Sequence, residues 1–473
     1  MLGSCLFLLL TACVDDKENV LIVDPEPLVN PISEETLLVN DFIAAYVQDA
    51  YLWTSAINWR SVQPDKEPDP FAFFEKLRYA KEDKWSTLTD EMKEMSDGFE
   101  GVSTTYGYQL IFGRYSDAPE YLFAIILYVY PNSPADRAGL KRGDIIVDQN
   151  MGAITEDNYR DLYNAPALLL GTASVTDEGL VRNQNAVYIM AESMYEDPIN
   201  AYQMIEKGAN KIGYLCYTDF TQESEKRLLE IFAEFKSQGV TDVVLDLRYN
   251  GGGYARTARL LSSILAPASV VKGKEIFTSE HWNDDYMEYF RQQKRDVNEY
   301  FMDDLSINMD LSRIYILTSQ YSASASESTI IGLDPYMDVV LIGDTTHGKY
   351  CGGVLVSPDM YYEKTKKWVP VKEIENWGMY LMLYRFANKN GITSFTGGLA
   401  PNILVNESYF HLYPFGDERD PLLAQAISQI TGEPVVETRA AFPTPPHQIL
   451  QSIRPKKVLD GKMIHTRPLP KLP

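Results

Sequence analysis

Apolar residues in the first part of the chain recur at helical spacing. Between Leu37 and Val47 they are separated by three or four positions, and a second aromatic cluster follows at residues 71–77. This spacing places apolar side chains on one face of a helix. We therefore predict a helical cap over residues 34–100.

Residues 101–195 show a different pattern, in which short β-rich runs alternate with turns. The segments Pro131–Ala135, Ala138–Leu140 and Gly143–Ile146 follow one another in this region. Their order resembles that of the PDZ domains of bacterial proteases, where a turn leads into a short helix and a Gly-Asp turn opens the next strand. The resemblance implies a PDZ-like, β-rich domain. An unrelated β-rich domain remains an alternative.

The PDZ resemblance also assigns a binding loop. PDZ domains place their carboxylate-binding loop where this chain has Gly107, Tyr108, Gln109 and Leu110. Such a groove takes an extended C-terminal peptide as an added strand. We expect protein or peptide partners at this loop.

From about Lys211 onward, apolar runs alternate with segments of helical periodicity. The predicted strands are Ile212–Phe220, Val243–Leu247, Ile314–Leu317 and Val339–Ile342, and the predicted helices are Gln222–Gln238, Ala255–Leu265 and Pro421–Ile430. This alternation predicts an α/β core over residues 205–430. The stretch His281–Leu311, dense in Asp, Glu, Tyr and Arg, predicts a surface insertion. The chain as a whole is predicted to be a multidomain α/β protein.

Both termini differ in composition from the body of the chain. The apolar run Leu6–Leu10 leads into Cys13, and this resembles a lipoprotein signal, residues 1–13, in which the peptide is cut before Cys13 and that cysteine is lipidated. A short buried segment is the alternative. Residues 14–33 are rich in Asp, Glu, Pro and Asn and predict a tether, while residues 431–473 predict a Pro-rich tail that is extended or disordered. We expect a lipid-anchored protein of the bacterial cell envelope, with the membrane as a partner.

Composition excludes several classes of function. With 43 Lys and Arg against 66 Asp and Glu, the formal net charge is −23, which is the wrong sign for a nucleic-acid-binding surface. The chain has five His and no CxxC pair, so we expect no metal and no cofactor. Cys216 and Cys351 are the cysteines of the folded part, and an envelope location would permit a disulfide between them without requiring one.

Three polar segments carry candidate chemistry. The buried strand before Asp246 runs into Gly251-Gly252-Gly253, whose uncovered N–H groups suit an anion or oxyanion. No Gly-Lys-Ser/Thr follows, which argues against a phosphate-binding loop. Ser322–Ser328 lies between a strand and a small-residue helix, where it could be a simple N-cap with Glu327 in a capping box. Gly343–Lys349 follows another buried strand, and burial there would lower the pKa of Lys349.

Taken together, the three segments resemble the C-terminal processing peptidases, also called tail-specific proteases. That family has an Asp-Leu-Arg-x-Asn-x-Gly-Gly loop, a Ser-Ala-Ser-Ala-Ser-Glu segment and a Thr-x-Gly-Lys segment, here at 246–253, 322–327 and 346–349. Gly397–Asn402 is similar to a further turn of the family, and Asp83–Ser86 resembles its Bacteroidetes lipoprotein branch.

The resemblance implies a fold and a set of roles. The core would be ClpP/crotonase-like, Ser324 the nucleophile of a serine endopeptidase and Lys349 its general base. The N–H groups of Gly252, Gly251 and Ser324 itself would form the oxyanion hole. Glu327 and Thr346 would support the site.

The chain departs from the family at one position. Many members place a Gln four residues after the lysine to orient it, and this chain has Gly353 there. His347 and Tyr350 are the candidates for the missing contact, and His347 as the base is an alternative. A peptide-binding protein without catalysis and a purely structural envelope lipoprotein are the competing functions. Substrate and oligomeric state do not follow from the sequence.

Overall fold

The computed structural model describes residues 32–176, 179–365, 372–435, 447–450 and 462–464, without the side chains of 362–365. In these ranges no helix combines the length and the apolar character needed to cross a membrane. Cys13 and the predicted tether up to residue 31 lie outside the described residues.

The N-terminal region is helical, as its spacing predicts. Its elements are α1 (Glu34–Ala50), α2 (Pro70–Leu77), β1 (Thr87–Thr89) and α3 (Met92–Phe99). Ser33 caps α1 by accepting from the Thr36 N–H, and Asp69 caps α2, whose first residue is Pro70. The apolar face of α1, with Phe42 buried on it, packs into the largest hydrophobic cluster of the molecule.

The PDZ-like region follows as an antiparallel sheet with two short helices. Its elements are β2 (Val102–Thr105), β3 (Tyr108–Tyr115), β4 (Leu122–Val129), α4 (Pro134–Arg137), β5 (Ile145–Gln149), β6 (Gly152–Ala153), α5 (Asp161–Asn164), β7 (Ala167–Thr176), β8 (Gly179–Met190) and β9 (Glu192–Tyr195). Strands β3, β4, β5, β7 and β8 are neighbours in that order, and β6 pairs with β5.

The remainder contains two further sheets and most of the helices. The strands are β10 (Ile199–Lys207), β11 (Asn210–Tyr217), β12 (Asp242–Asp246), β13 (Gly253–Tyr254), β14 (Ile276–Trp282), β15 (Asn298–Tyr300), β16 (Arg313–Thr318), β17 (Asp338–Gly343), β18 (Cys351–Val356), β19 (Gly378–Ala387), β20 (Ile403–Leu404), β21 (His447–Leu450) and β22 (Met463–Ile464). The helices are α6 (Glu225–Ser237), α7 (Ala255–Leu265), α8 (Ala268–Lys272), α9 (Asp284–Gln292), α10 (Ala325–Leu333), α11 (Pro358–Thr365) and α12 (Pro421–Thr431).

Strand order explains how the core is built. One sheet has the order β10-β11-β12-β16-β17-β20, and its strands from β11 to β20 are all parallel. The second sheet has the order β13-β22-β18-β19-β14-β15, with β1 added on β19. Helix α10 is buried along its whole length, including Glu327 in its first turn, and its sequence accordingly has no separate polar face.

The predicted α/β elements coincide with the observed ones to within about three residues at each end, but two predictions need revision. The stretch beginning at His281 is not a surface insertion, because Tyr286 and Phe290 of α9 are buried and β15 is part of a sheet. The C-terminal tail is not simply extended or disordered either. Its strand β21 joins the PDZ-like sheet, and β22 joins the sheet of β13 and β18.

Candidate active site

Parallel pairing brings the three polar segments to one edge of the core sheet. Strands β12, β16 and β17 are adjacent and parallel, so their carboxyl ends lie together. The glycine loop follows β12, the serine segment follows β16, and the segment ending in Lys349 follows β17. This edge is where open α/β sheets place their sites.

The glycine loop has room for glycine alone. Gly252 has φ +118°, and a Cβ there would come within 2.8 Å of the Lys462 carbonyl oxygen and 2.9 Å of the Ser324 Cβ. Asn250 fixes the loop. Its side-chain Nδ2 donates to the Tyr217 carbonyl at 2.9 Å, and its backbone carbonyl accepts the Ala323 N–H at 3.0 Å. The loop is thereby tied to the serine segment.

The three serines of the segment have different surroundings. Ser322 Oγ donates to the Leu247 carbonyl at 2.8 Å, and Ser326 Oγ donates to the Asn250 carbonyl at 3.0 Å. Within the described part of the chain, the buried Ser324 Oγ has no hydrogen-bond partner. Ser324 also has φ +60°, a strained value for a residue with a side chain, at the N-cap of α10. The outer serines hold the loop, and the middle one is left available.

Glu327 joins the serine and lysine segments through one buried carboxylate. Its Oε2 accepts the Ser324 N–H at 2.7 Å and the Lys349 N–H at 2.9 Å. Its Oε1 accepts the Thr346 hydroxyl and the Gly348 N–H, both at 2.6 Å. Burial raises the pKa of Glu327 to about 7, and the four hydrogen bonds oppose that rise. Glu327 and Thr346 therefore contribute to the position of both candidate catalytic residues.

Lys349 is completely buried. Burial, with a contribution from the charge of Lys462, lowers its pKa from the usual 10.5 to about 7. Its Nζ donates to the Tyr380 hydroxyl at 3.3 Å, and it lies 5.4 Å from the ring centres of both Trp85 and Tyr380. A lysine in such surroundings is available as a neutral amine near neutral pH.

Tyr380 is the hydrogen-bond partner of Lys349 Nζ, a contact that the family resemblance would assign to a Gln at position 353. A side chain at position 353 would not fit, because a Cβ on Gly353 would lie 2.3 Å from the Leu381 carbonyl oxygen. The two residues predicted to orient Lys349 have contacts with other residues. His347 is exposed beside Trp85, and the Tyr350 hydroxyl donates to Glu82 at 2.6 Å.

The sequence analysis missed Tyr380 and Trp85 as site residues. Tyr380 lies on β19, far along the chain, and no local motif marks it. Trp85 had a signal, since it belongs to the Asp83–Ser86 motif. Asp83 is buried and its Oδ1 accepts the N–H groups of Trp85 and Ser86, which sets the turn that carries the indole.

The predicted oxyanion donors need correction. The Gly252 N–H donates to Asn250 Oδ1 at 2.9 Å, and the Ser324 N–H is taken by Glu327. Neither N–H group can donate to an oxyanion while these hydrogen bonds are made. Of the three predicted donors, Gly251 is the one to which this objection does not apply. The Gly253 N–H, one residue further, donates to the carbonyl of Lys462 at 2.7 Å.

The predicted PDZ loop begins at a left-handed glycine. Gly107 has φ +80°, and its N–H donates to Thr105 Oγ1 at 3.0 Å. Tyr108, Gln109 and Leu110 lie in β3, where the Leu110 N–H donates to the Tyr163 hydroxyl at 3.0 Å. Two of the four N–H groups therefore already have acceptors within the domain.

Cys216 and Cys351 are both buried and both free thiols. Cys351 Sγ lies 3.4 Å from Met382 Sδ. The disulfide that the sequence left open is not formed.

A strained serine at a helix start and a buried lysine of lowered pKa are typical of serine hydrolases that use lysine in place of histidine. Models of known families match the same regions. A model described as peptidase family S41 matches residues 211–405, one described as the S41 N-terminal domain matches 39–87, and one described as a PDZ domain matches 125–150. Residues 211–405 thus match peptidase family S41, with matches to an S41 N-terminal domain and a PDZ domain before them.

Individual relatives agree with this assignment. A crystal structure described as that of a candidate S41 protease from Bacteroides fragilis is 26% identical, with a TM-score of 0.68 over 83% of this chain and 97% of that one. The chloroplastic carboxyl-terminal-processing peptidase 2 of Arabidopsis thaliana is 24% identical over 64% of this chain and 58% of its own length. The carboxy-terminal processing protease CtpA of Bacillus subtilis is 29% identical over 47% and 44%. The chain thus spans about half the length of these two curated relatives.

Proposed function

We propose that this protein is a serine endopeptidase that hydrolyses peptide bonds in protein or peptide substrates, with Ser324 as nucleophile and Lys349 as general base. The observation that carries the proposal is the difference among the three serines. Ser322 and Ser326 donate to the backbone carbonyls of Leu247 and Asn250, whereas Ser324 Oγ donates to no acceptor among the described residues.

The proposed mechanism uses the lysine in its neutral form. Lys349 takes the proton of Ser324 Oγ as that oxygen attacks the scissile carbonyl, and the leaving amine then takes the proton from Lys349. Water hydrolyses the resulting acyl-enzyme in a second step with the same base. The oxyanion lies beside Gly251 and the start of α10, where the first N–H groups and the helix dipole favour negative charge.

The rival function, a peptide-binding protein that has lost catalysis, was suggested by the absent Gln. We infer another reason for that absence, because the Tyr380 hydroxyl accepts from Lys349 Nζ at 3.3 Å and so supplies the partner that the amine needs. A serine-directed phosphonate separates the two functions. An enzyme becomes covalently labelled at Ser324, and a protein without a working nucleophile does not.

Matched serine substitutions test the nucleophile. Ser324→Ala should abolish peptide hydrolysis and labelling while leaving the melting temperature nearly unchanged, since its hydroxyl makes no hydrogen bond. Ser322→Ala and Ser326→Ala should lower the melting temperature and keep activity, since each removes a buried hydrogen bond. If Ser322→Ala or Ser326→Ala abolished hydrolysis and Ser324→Ala did not, the nucleophile would lie elsewhere in the segment.

We further propose that the PDZ-like domain recruits C-terminal tails of substrates along β3. The edge of a sheet binds an extended peptide through main-chain hydrogen bonds, so a substrate tail on β3 would take the place of β21, and the loop at Gly107 would face its terminal carboxylate. Peptides with a free apolar C-terminus should then be cleaved faster than the corresponding C-terminal amides, which lack the charge. Equal cleavage rates for the acid and the amide would show that the PDZ-like domain does not recruit C-terminal tails and serves to position the core instead.

Finally, we propose that the protein is lipid-anchored in a bacterial cell envelope through Cys13. The support is the Leu10–Cys13 sequence, which resembles a lipobox. Labelled palmitate should enter the wild-type protein and not Cys13→Ala, which should be recovered in the soluble fraction. An unlabelled variant that stays with the membrane would contradict this proposal.

A further inference from the structure

The C-terminal tail contributes strands at two places where the proposed function needs a peptide. Strand β21 lies on the edge of the PDZ-like sheet beside β3, and β22 lies between β13 and β18 next to the active site. The sheet that carries the three polar segments takes all its strands from residues before 405, so neither tail strand belongs to it. Both tail strands are short and come after α12.

The first contact has the form of a peptide bound to a PDZ groove. Strand β21 runs antiparallel to β3, with His447 opposite Tyr115 and Leu450 opposite Phe112. The tail therefore advances along β3 toward the loop at Gly107. Leu450 packs against the apolar cluster of this domain. Strand addition with an apolar side chain in the groove is how such edges bind extended peptides.

The second contact has the form of a peptide in a protease cleft. The Gly253 N–H donates to the Lys462 carbonyl at 2.7 Å, and the Tyr380 hydroxyl donates to the Met463 carbonyl at 2.7 Å. The Lys462 carbonyl oxygen and the Ser324 Cβ each lie within 3 Å of the position that a Cβ on Gly252 would take. Two main-chain carbonyls of the tail are thus hydrogen-bonded by residues that border the candidate active site.

The side chains of this strand are accommodated as well. Met463 and Ile464 are 2% and 5% exposed, and Met463 borders a cavity of about 120 Å³ that Ala255, Phe277 and Phe386 also line. The Lys462 ammonium lies 5.3 Å from the ring centres of Phe99 and Tyr380. The cleft thus accepts a cationic residue followed by two apolar ones.

We propose that residues 447–450 and 462–464 act as a peptide ligand in cis, filling the edge of β3 and the cleft beside Ser324 in competition with substrate. This inference rests on the proposed function, because competition presupposes a peptide-binding cleft. A tethered segment reaches an effective concentration of roughly a millimolar, so even weak intrinsic binding keeps it in place. Substrates that displace it carry apolar side chains at the positions of Met463 and Ile464.

Substitution in the full-length chain tests the competition. Met463→Asp combined with Ile464→Asp puts two carboxylates where two apolar side chains are buried, near Glu280 and Glu299, and should release the strand. The rate of phosphonate labelling at Ser324 should then rise roughly tenfold, as expected for a ligand whose dissociation constant is about a tenth of its effective concentration. The matched control is Met151→Asp with Ile392→Asp, the same exchange at exposed positions, which should leave the rate unchanged.

A peptide added in trans provides the second arm. A synthetic peptide with the sequence of residues 459–467 should slow labelling of the Met463→Asp, Ile464→Asp protein, and the same peptide with both Asp substitutions should not. If the double variant does not fold, Ile449→Pro decides the question. It weakens only the edge strand β21 and should raise the labelling rate by a smaller factor.

The outcomes separate this inference from the proposed function. A folded double variant that labels no faster than the wild type, with a lowered melting temperature, would make β22 a structural strand and overturn the inference. Ile449→Pro at the wild-type rate would do the same in the case of misfolding. Absence of labelling in every folded form, while the peptide still binds, would instead overturn the assignment of Ser324.

Discussion

Lys349 illustrates how a single residue acquires its chemistry from distant parts of the chain. Its backbone N–H donates to Glu327, its Nζ donates to the Tyr380 hydroxyl, and the same Nζ lies over the ring of Trp85 from the cap. The sequence segment supplies the lysine, but the lowered pKa comes from burial by the other elements. This burial has measurable costs and benefits.

Replacing Lys349 by Met should abolish hydrolysis and stabilise the fold. Folded protein binds the lysine proton less tightly than unfolded chain, so the wild-type free energy of unfolding rises with pH between about 7 and 10.5. The gain in Lys349→Met should therefore be largest below pH 7, on the order of 4 kcal/mol, and vanish above about pH 10.5. Calorimetry across this pH range measures it.

Wild-type activity should rise with pH through about 7 as Lys349 loses its proton. Lys349→Arg is the control for charge, since guanidinium stays protonated, and it should be inactive at every pH. A pH-independent rate in the wild type, or a gain in stability for Lys349→Met that does not change with pH, would contradict the assignment of Lys349 as base.

Glu327→Gln should damage both halves of the site at once. The amide has a single acceptor oxygen, so two of the four N–H and O–H groups that now bond to the carboxylate would face an NH₂. Each unsatisfied buried donor costs about 1–3 kcal/mol, so the melting temperature should fall and phosphonate labelling should slow. Unchanged labelling with a lowered melting temperature would restrict Glu327 to a structural role.

At the scale of elements, local patterns predicted most of the core and missed what lies across sheets. Helix α7 coincides with its prediction because its periodicity is strong, and the three polar segments converge because parallel strands align their carboxyl ends. Tyr380 and β22 were missed, since their roles arise from pairing between β18, β19 and the tail. The Pro-rich composition of the tail concealed two short strands whose hydrogen bonds come entirely from other elements.

The irregular pairing at Gly353 yields a prediction that runs against family resemblance. The register between β18 and β19 shifts between Gly352 and Gly353, and a Cβ at 353 would meet the backbone of Leu381. Gly353→Gln, which restores the residue common in the family, should therefore lower the melting temperature and the activity. Gly397→Ala is the control, because a Cβ there meets nothing within 4 Å. A more active Gly353→Gln protein would show that β19 can move.

On the scale of the whole molecule, a buried charge network joins the PDZ-like region to the core. Arg142, just before β5, donates to the Tyr249 hydroxyl at 3.0 Å and forms an ion pair with Glu407 at 2.5 Å. Glu407 also pairs with Arg248 at 2.8 Å, and Arg248 pairs with Asp420 at the start of α12. Arg248 and Tyr249 lie just before the glycine loop, so the network connects the PDZ-like sheet with the catalytic edge.

Arg142→Met should uncouple the two regions. Loss of one partner from a buried pair costs about 3–5 kcal/mol, since the remaining charge keeps its desolvation penalty. Calorimetry should show the unfolding transition moved to lower temperature and split in two. The exposed ion pair of Arg313 with Asp338 offers the comparison, and Arg313→Met should change little. A single unshifted transition for Arg142→Met would mean that the domains are held together elsewhere.

The indole of Trp85 can serve as an optical probe of the catalytic amine. Its ring centre is 5.4 Å from Lys349 Nζ, close enough for the charge on that nitrogen to alter its emission. In a protein whose five other tryptophans are replaced by Phe, the fluorescence of Trp85 should titrate with the ionisation of Lys349 and lose that titration in Lys349→Met. The protonation state of the base could then be followed in the resting enzyme, with no substrate present and no turnover.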